Sequence, residues 1–109
     1  VASVYKVLAQ SNPSANTLTT AYTVPADRAT VVSSAIITNF GPSPASYRIA
    51  IRPAGAAVTQ AMYIAYEVTV PALDAIALTL GLTLATTDVI SVYSSNGFVN
   101  FNIFGSEIS

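Results

Sequence analysis

The run Ala75-Ile76-Ala77-Leu78-Thr79-Leu80-Gly81-Leu82-Thr83-Leu84 decides how this chain folds. Alanine and leucine are strong helix formers, so composition alone favours a helix here. Spacing overrules it. Ile76, Leu78, Leu80, Leu82 and Leu84 recur at every second position, which gathers them on one face of a strand and would scatter them around a helix. Gly81 breaks the run and marks a bulge or bend. The next turn is Thr86-Thr87-Asp88. Beyond it, residues 89–94 and 98–104 flank Asn96-Gly97, a pair favoured where a two-residue hairpin turn needs positive φ at both centres. A tight antiparallel hairpin is predicted there. Val99, Phe101 and Ile103 point one way; Phe98, Asn100, Asn102 and Phe104 point the other, so this strand is expected to be covered on both faces.

Towards the start of the chain the same reading gives strands over residues 3–10, 17–24, 29–39, 46–52 and 62–70. They are rich in Thr, Val, Ile and Tyr, which suit a pleated, half-buried surface. They are separated by Ser11-Asn12-Pro13-Ser14, by Pro25, by Gly41-Pro42-Ser43-Pro44 and by the loop 53–57, stretches that no strand crosses. Over 46–52, Tyr47, Ile49 and Ile51 share one face, while Arg48, Ala50 and Arg52 share the other. The two arginines either solubilise that face or meet carboxylates of a neighbouring subunit. Tyr63 and Tyr66 lie three apart, so they are expected to face opposite sides of a strand, with at least one reaching solvent or a partner. About eight short strands with regular turns predict an all-β, antiparallel β-sandwich of jelly-roll or immunoglobulin-like type. At 109 residues it fits one domain.

Charge is scarce. Asp, Glu, Lys and Arg make up 8% of the chain against 52% hydrophobic residues, where an ordinary soluble domain has about 25% charged residues. The mean hydropathy is +0.58. No uninterrupted apolar run reaches the ~18 residues of a spanning helix, and the first ten residues alternate instead of forming a signal-peptide block. A lone transmembrane hairpin would leave open edges in lipid, so of the membrane options only an oligomeric barrel stays open. Either the chain is a monomer that uses Thr, Ser and Asn where others use Lys and Glu, or other subunits cover part of its surface; the second is the better account, since obligate interfaces are depleted of charge. Arg48, Arg52, Tyr63, Tyr66, Phe98 and Phe104 are the candidate inter-subunit contacts. Lys6, Arg28, Arg48 and Arg52 are the only basic residues and the formal net charge is −1, too little to neutralise a useful number of phosphates. Nucleic acid is not an expected partner.

The sequence carries no recognisable catalytic apparatus. It contains no histidine and no cysteine, which removes the usual general base, thiol nucleophiles and the commonest transition-metal ligands. Nothing in the sequence brings two of the five carboxylates together as glycoside hydrolysis requires. Asp27, Asp74 and Asp88 lie in turn contexts, where such side chains bond backbone amides. Lys6 reads as a surface lysine. There is no oxygen-rich calcium loop and no phosphate-cradling glycine motif. No catalytic residue, metal site or cofactor is expected.

Tyr5-Lys6-Val7-Leu8-Ala9-Gln10, Tyr22-Thr23-Val24-Pro25-Ala26, the run Leu78–Leu84 with Thr87-Asp88-Val89-Ile90-Ser91-Val92-Tyr93, and Phe104-Gly105-Ser106-Glu107-Ile108 resemble a family of small tailed-bacteriophage virion structural proteins. The resemblance spans most of the chain and is weakest over residues 40–61. It implies a virion component without catalytic residues: a capsid decoration (cement) protein bound to the major capsid protein, or a small tail- or fibre-associated piece bound to a tail protein. Copies at local three-fold positions would form trimers. Strand addition at an open sheet edge is an available docking mode, with Val1–Ser3 and Gly105–Ser109 as candidate arms. A receptor- or carbohydrate-binding module is the alternative, and its mark would be exposed aromatic residues clustered in loops.

Overall fold

A computed structural model describes residues 3–109. Eight strands follow one another: β1 (Ser3–Ser11), β2 (Thr19–Thr23), β3 (Ala29–Asn39), β4 (Ala45–Arg52), β5 (Tyr63–Val70), β6 (Asp74–Leu84), β7 (Val89–Ser94) and β8 (Val99–Ile108). Two single 3-10 turns, Pro53–Gly55 and Gln60–Met62, lie between β4 and β5. The strands form two four-stranded sheets, ordered β1-β8-β3-β6 and β2-β7-β4-β5. Every pairing within them is antiparallel. The pairs β1–β8, β2–β7, β3–β6 and β4–β5 are nested, as when one long hairpin is rolled over into two layers. That is the jelly-roll form of the sandwich.

Only β4 and β5 are both consecutive and paired; the other connections between described strands carry the chain from one sheet to the other. This corrects the predicted hairpin at Asn96-Gly97. β7 and β8 belong to different sheets, and neither turn residue has positive φ. The corner is held by side chains instead. Asn96 Oδ1 accepts the Phe98 amide at 2.9 Å, and Asn12 Nδ2 reaches across to the Gly97 and Val99 carbonyls at 3.1 and 2.9 Å. Both strands already have two partners each, so no edge is left for them to share.

The layers meet through the alternating apolar faces. Ile37, Phe101, Ile103, Ala35 and Val32 from the first sheet are buried against Tyr47, Ile49, Ile90 and Val92 from the second. Tyr47 and Phe101 pack edge-to-face with ring centroids 6.0 Å apart, an arrangement aromatic pairs favour. On β6, Leu84 is buried while Ile76, Leu78, Leu80 and Leu82 face inward but remain half-exposed, because β6 is an edge strand. The register with β3 shifts between Val32 and Ser34, opposite Leu82 and Thr79, so the extra β6 residue falls at Leu80-Gly81. The bulge expected at Gly81 is present.

Gly105 occupies the tightest place in the fold. The register of β8 with β3 shifts beside it and that with β1 one residue further on, between Phe104 and Ile103, and a Cβ at Gly105 would lie 2.0 Å from the Val31 carbonyl oxygen. The strand continues past it to Ile108, paired with β1 on one side and β3 on the other. The expectation that Gly105–Ser109 is a free arm is therefore overturned for all but its last residue. Val1 and Ala2 of the other expected arm lie outside the described residues.

Two of the three turn aspartates act as expected. Asp88 accepts the Ala54 and Ala85 amides, each at 2.9 Å, and Asp74 accepts the Ala75 amide at 2.7 Å.

Candidate functional site

Register separates the two outer faces by chemistry. On the β2-β7-β4-β5 sheet, β4 sends Ser46, Arg48 and Arg52 outward. The Arg48 guanidinium lies between two rings, 4.5 Å from the Tyr66 centroid and 4.2 Å from that of Tyr93, within cation–π range. Its Nε donates to Glu67 Oε1 at 2.7 Å, its Nη2 donates to the same oxygen, and Ser46 Oγ donates to Oε2 at 2.8 Å. The Ser46 hydroxyl and Arg48 together hold the Glu67 carboxyl below its usual range. Arg52 is a loop clamp, donating to the Ala56 and Gly55 carbonyls at 2.8 and 3.0 Å and to Ser91 Oγ at 3.3 Å. Both arginines thus find partners within their own chain.

Tyr63 and Tyr66 do not face opposite sides. Their rings meet edge-to-face at 5.0 Å. Two register shifts against β4 and a left-handed Glu67 (φ 54) break the alternation of β5, and a bulge of this kind re-aims the side chains around it.

The outer face of the β1-β8-β3-β6 sheet has no such cluster. Its cross-strand rows read Tyr5–Ser106–Val31–Thr83, Val7–Phe104–Ser34–Thr79 and Gln10–Asn102–Ile36–Ala77. None of these residues is charged, and Tyr5 is 86% exposed. Phe104 lies half-buried in the middle row. Near one edge of this face Gln10, Asn12, Asn100 and Asn102 line a shallow groove of about 290 Å³, in which Gln10 Nε2 donates to Asn102 Oδ1 at 3.0 Å.

The charges missing from that face are gathered beneath its end. Glu107 is 4% exposed and accepts from the Tyr22 hydroxyl at 2.5 Å, a bond that ties β2 of one sheet to β8 of the other. Lys6 Nζ and Arg28 Nη1 lie 3.3 and 3.6 Å from its other oxygen. Lys6 is exposed, as read from the sequence, and a second cation, Arg28, shares its carboxylate. The Tyr22 bond is the main cause holding the Glu107 carboxyl below its usual range, with the two cations adding to it. Burial first, then the bond to Glu107, pushes the Tyr22 phenol up to about 12. This arrangement joins the sheets.

The surface best built for contact is one end of the sandwich. Phe40 follows the last residue of β3, Phe98 precedes β8, and Leu73 precedes β6. The adjoining pairs Asn39↔Val99 and Asn39↔Asp74 put the three side by side. Leu73 is 76% exposed, Phe40 48% and Phe98 45%. The Phe40 amide donates to the Phe98 carbonyl at 2.9 Å and the rings meet edge-to-face at 5.5 Å.

The base of this row is rigid. Asn39 is fully buried. Its Nδ2 donates to the Ser43 and Val70 carbonyls at 2.8 and 3.2 Å, and its Oδ1 accepts the Gly41 amide at 2.9 Å. Gly41 lets Phe98 sit down, since a Cβ there would meet the Phe98 side chain at 2.8 Å. Leu73 is held in the left-handed region (φ 55), a conformation that costs a leucine about 1 kcal/mol or more. A strained backbone position, an exposed apolar row and a hydrogen-bonded base beside it coincide at this end of the molecule. Sequence reasoning chose Phe98 but missed Phe40 and Leu73, because only the register of three strands unites them.

Among the described residues no three of Asp, Glu, His or Cys come together as a metal site, and no helix is long and apolar enough to cross a membrane. No protein-family model matches the chain, and no curated protein or solved structure is significantly similar to it.

Proposed function

We propose that this chain is a structural, non-catalytic component of a bacteriophage particle, present in many copies as a capsid decoration protein. The Phe98–Phe40–Leu73 end would dock on the major capsid protein, or on a tail protein if the chain is tail-associated. The observation that carries this reading is that row of exposed apolar side chains on a rigid, hydrogen-bonded base. A preformed apolar end loses little ordering entropy on docking, which favours repeated, identical contacts. Low overall charge and the resemblance to small virion proteins agree with it. The jelly roll also serves viral capsids, lectins and enzymes, so the fold itself supports the reading only by analogy.

The test is binding to particles that lack the protein. Native chain is expected to bind at a fixed copy number. The doubly substituted chain Phe40→Asp, Leu73→Asp is expected to keep its circular dichroism spectrum and lose binding. Undiminished binding by that variant, or absence of the protein from purified particles, overturns the reading.

A second reading, a glycan- or receptor-binding module, is favoured by two observations. The groove of Gln10, Asn12, Asn100 and Asn102 offers amide donors and acceptors without charge, and Phe40 and Phe98 form an exposed aromatic pair in loops, the mark expected of such a module. Saturable binding on a glycan array, lost in Asn100→Ala, would promote it over the first.

A further inference from the structure

A sheet edge presents a row of unpaired backbone amides and carbonyls, and proteins that stay monomeric blunt their edges with charges, bulges or very short strands. Three of the four edges here are blunted. β1 carries Lys6 on its inward side and a register shift between Val7 and Ala9. β2 is five residues long and shifts between Thr20 and Tyr22. β5 shifts twice and carries Glu67. The β6 edge differs. It too is bulged, at Leu80-Gly81, but the bulge leaves its first half straight: from Asp74 to Thr79 the strand pairs with β3 in unbroken register, and from Ala75 to Thr87 the chain has no charged residue.

We infer that β6 is a homodimerisation edge, pairing antiparallel with β6 of a second copy across a two-fold axis near Ala77. Charge selects the occupant. At the two-fold axis the central residue faces its own copy and its immediate neighbours face one another, so a charge at or beside Ala77 would stand close to its own kind. Two edges are free of charge, β2 and β6 beyond Asp74; β2 is only five residues long, while β6 runs uncharged from Ala75 to Leu84 and offers no charge with which to match a charged foreign strand.

Packing agrees. The outward residues Ala75, Ala77 and Thr79 are small and exposed. Their inward neighbours Ile76, Leu78 and Leu80 are left half-exposed where the two sheets part, beside exposed Ile64 and Val68 of β5. A second copy continues the four-stranded sheet into eight strands and covers this apolar seam. A three-fold ring would instead have to join β6 to a different edge of the next copy, and those edges are the blunted ones. The inference stands apart from the particle reading: a chain that dimerises in this way but never binds a particle overturns that reading and leaves this one intact.

Sedimentation of the full chain over a range of concentrations is the first test, with a species of twice 11.3 kDa expected. A monomer at every concentration, or a trimer, overturns the inference. Ala77→Lys sets like charges across the axis and is expected to raise the dissociation constant at least tenfold, with an unchanged circular dichroism spectrum. Persistence of the native dimer in that variant overturns the inference.

The chain contains no cysteine, so a second variant reads the geometry directly. Facing residues of an antiparallel pair have Cα atoms about 4.5–5.5 Å apart, within the span of a disulfide. Ala77→Cys is therefore expected to form a covalent dimer on mild oxidation, while Thr69→Cys on the β5 edge stays monomeric under the same conditions. Failure of the first to cross-link, or equal cross-linking of both, overturns the assignment of this edge.

Discussion

Glu107 and Glu67 each hold a carboxylate against an arginine, yet they stabilise the molecule to different extents. Glu107 is buried between the ends of the two sheets, bonded to Tyr22 and approached by Lys6 and Arg28. Glu67 stands on the outer face of one sheet, bonded to Ser46 and Arg48 in the presence of water. The same pair of charges is worth little when solvated on both sides. Removing one partner of a buried pair is costly, because it strands groups that water cannot reach. Location, more than the number of bonds, sets the energetic weight of each cluster.

The comparison can be broken most directly at Glu107. Glu107→Ala is expected to destabilise the fold by about 3 kcal/mol in urea unfolding at neutral pH, at the low end for a buried pair. The moderating cause is that the Lys6 and Arg28 side chains keep 44% and 40% exposure and can rehydrate. Tyr22→Phe removes the hydroxyl that bonds both Thr30 and Glu107 and is expected to cost about 1–2 kcal/mol. Arg48→Ala gives up two ring contacts at a partly exposed site and should cost about 1 kcal/mol. Glu67→Gln is expected to leave the melting temperature within the scatter of ordinary surface substitutions. A loss at Glu67 equal to that at Glu107 would refute the comparison.

The pH dependence sharpens it. The Glu107 carboxyl is lowered in the folded state from its usual 4.5, so its contribution is complete above that value and disappears as the pH falls through the folded pKa. The Tyr22 phenol is raised from 10.0 to about 12. Its contribution is complete below pH 10 and is lost as the pH climbs from there towards 12, because the unfolded chain ionises first. Urea midpoints measured across pH 9–12 should therefore fall more steeply in the native protein than in Tyr22→Phe.

The strands were legible because alternation is a local property. Ile76 through Leu84 announce β6 with no information from elsewhere in the chain, and residues 29–39 and 89–94 coincide with β3 and β7. Partners were not legible. Asn96-Gly97 carries a strong hairpin signal, yet β7 pairs with β2 and β4, because what decides pairing is which apolar faces close the core together. The Glu107 network joins Lys6 to a residue 101 positions away, and no local pattern encodes such a meeting. Tyr63 and Tyr66 were misassigned for a third reason: the period of two fails wherever a bulge inserts a residue. The apolar end was visible in part, since Phe98 stood out beside a turn, while Phe40 and Leu73 acquire their meaning from neighbours on other strands.

The central position of β8 has a consequence for biogenesis. It is the last of the eight strands to leave the ribosome, yet it is the one that β1 and β3 both bond. Until it emerges, two nascent segments wait with unsatisfied backbones, exposed to sticking to other chains. Stalling just before residue 99 should thus yield a protease-sensitive polypeptide, in which β3 can pair with β6 but β1 has no strand to join.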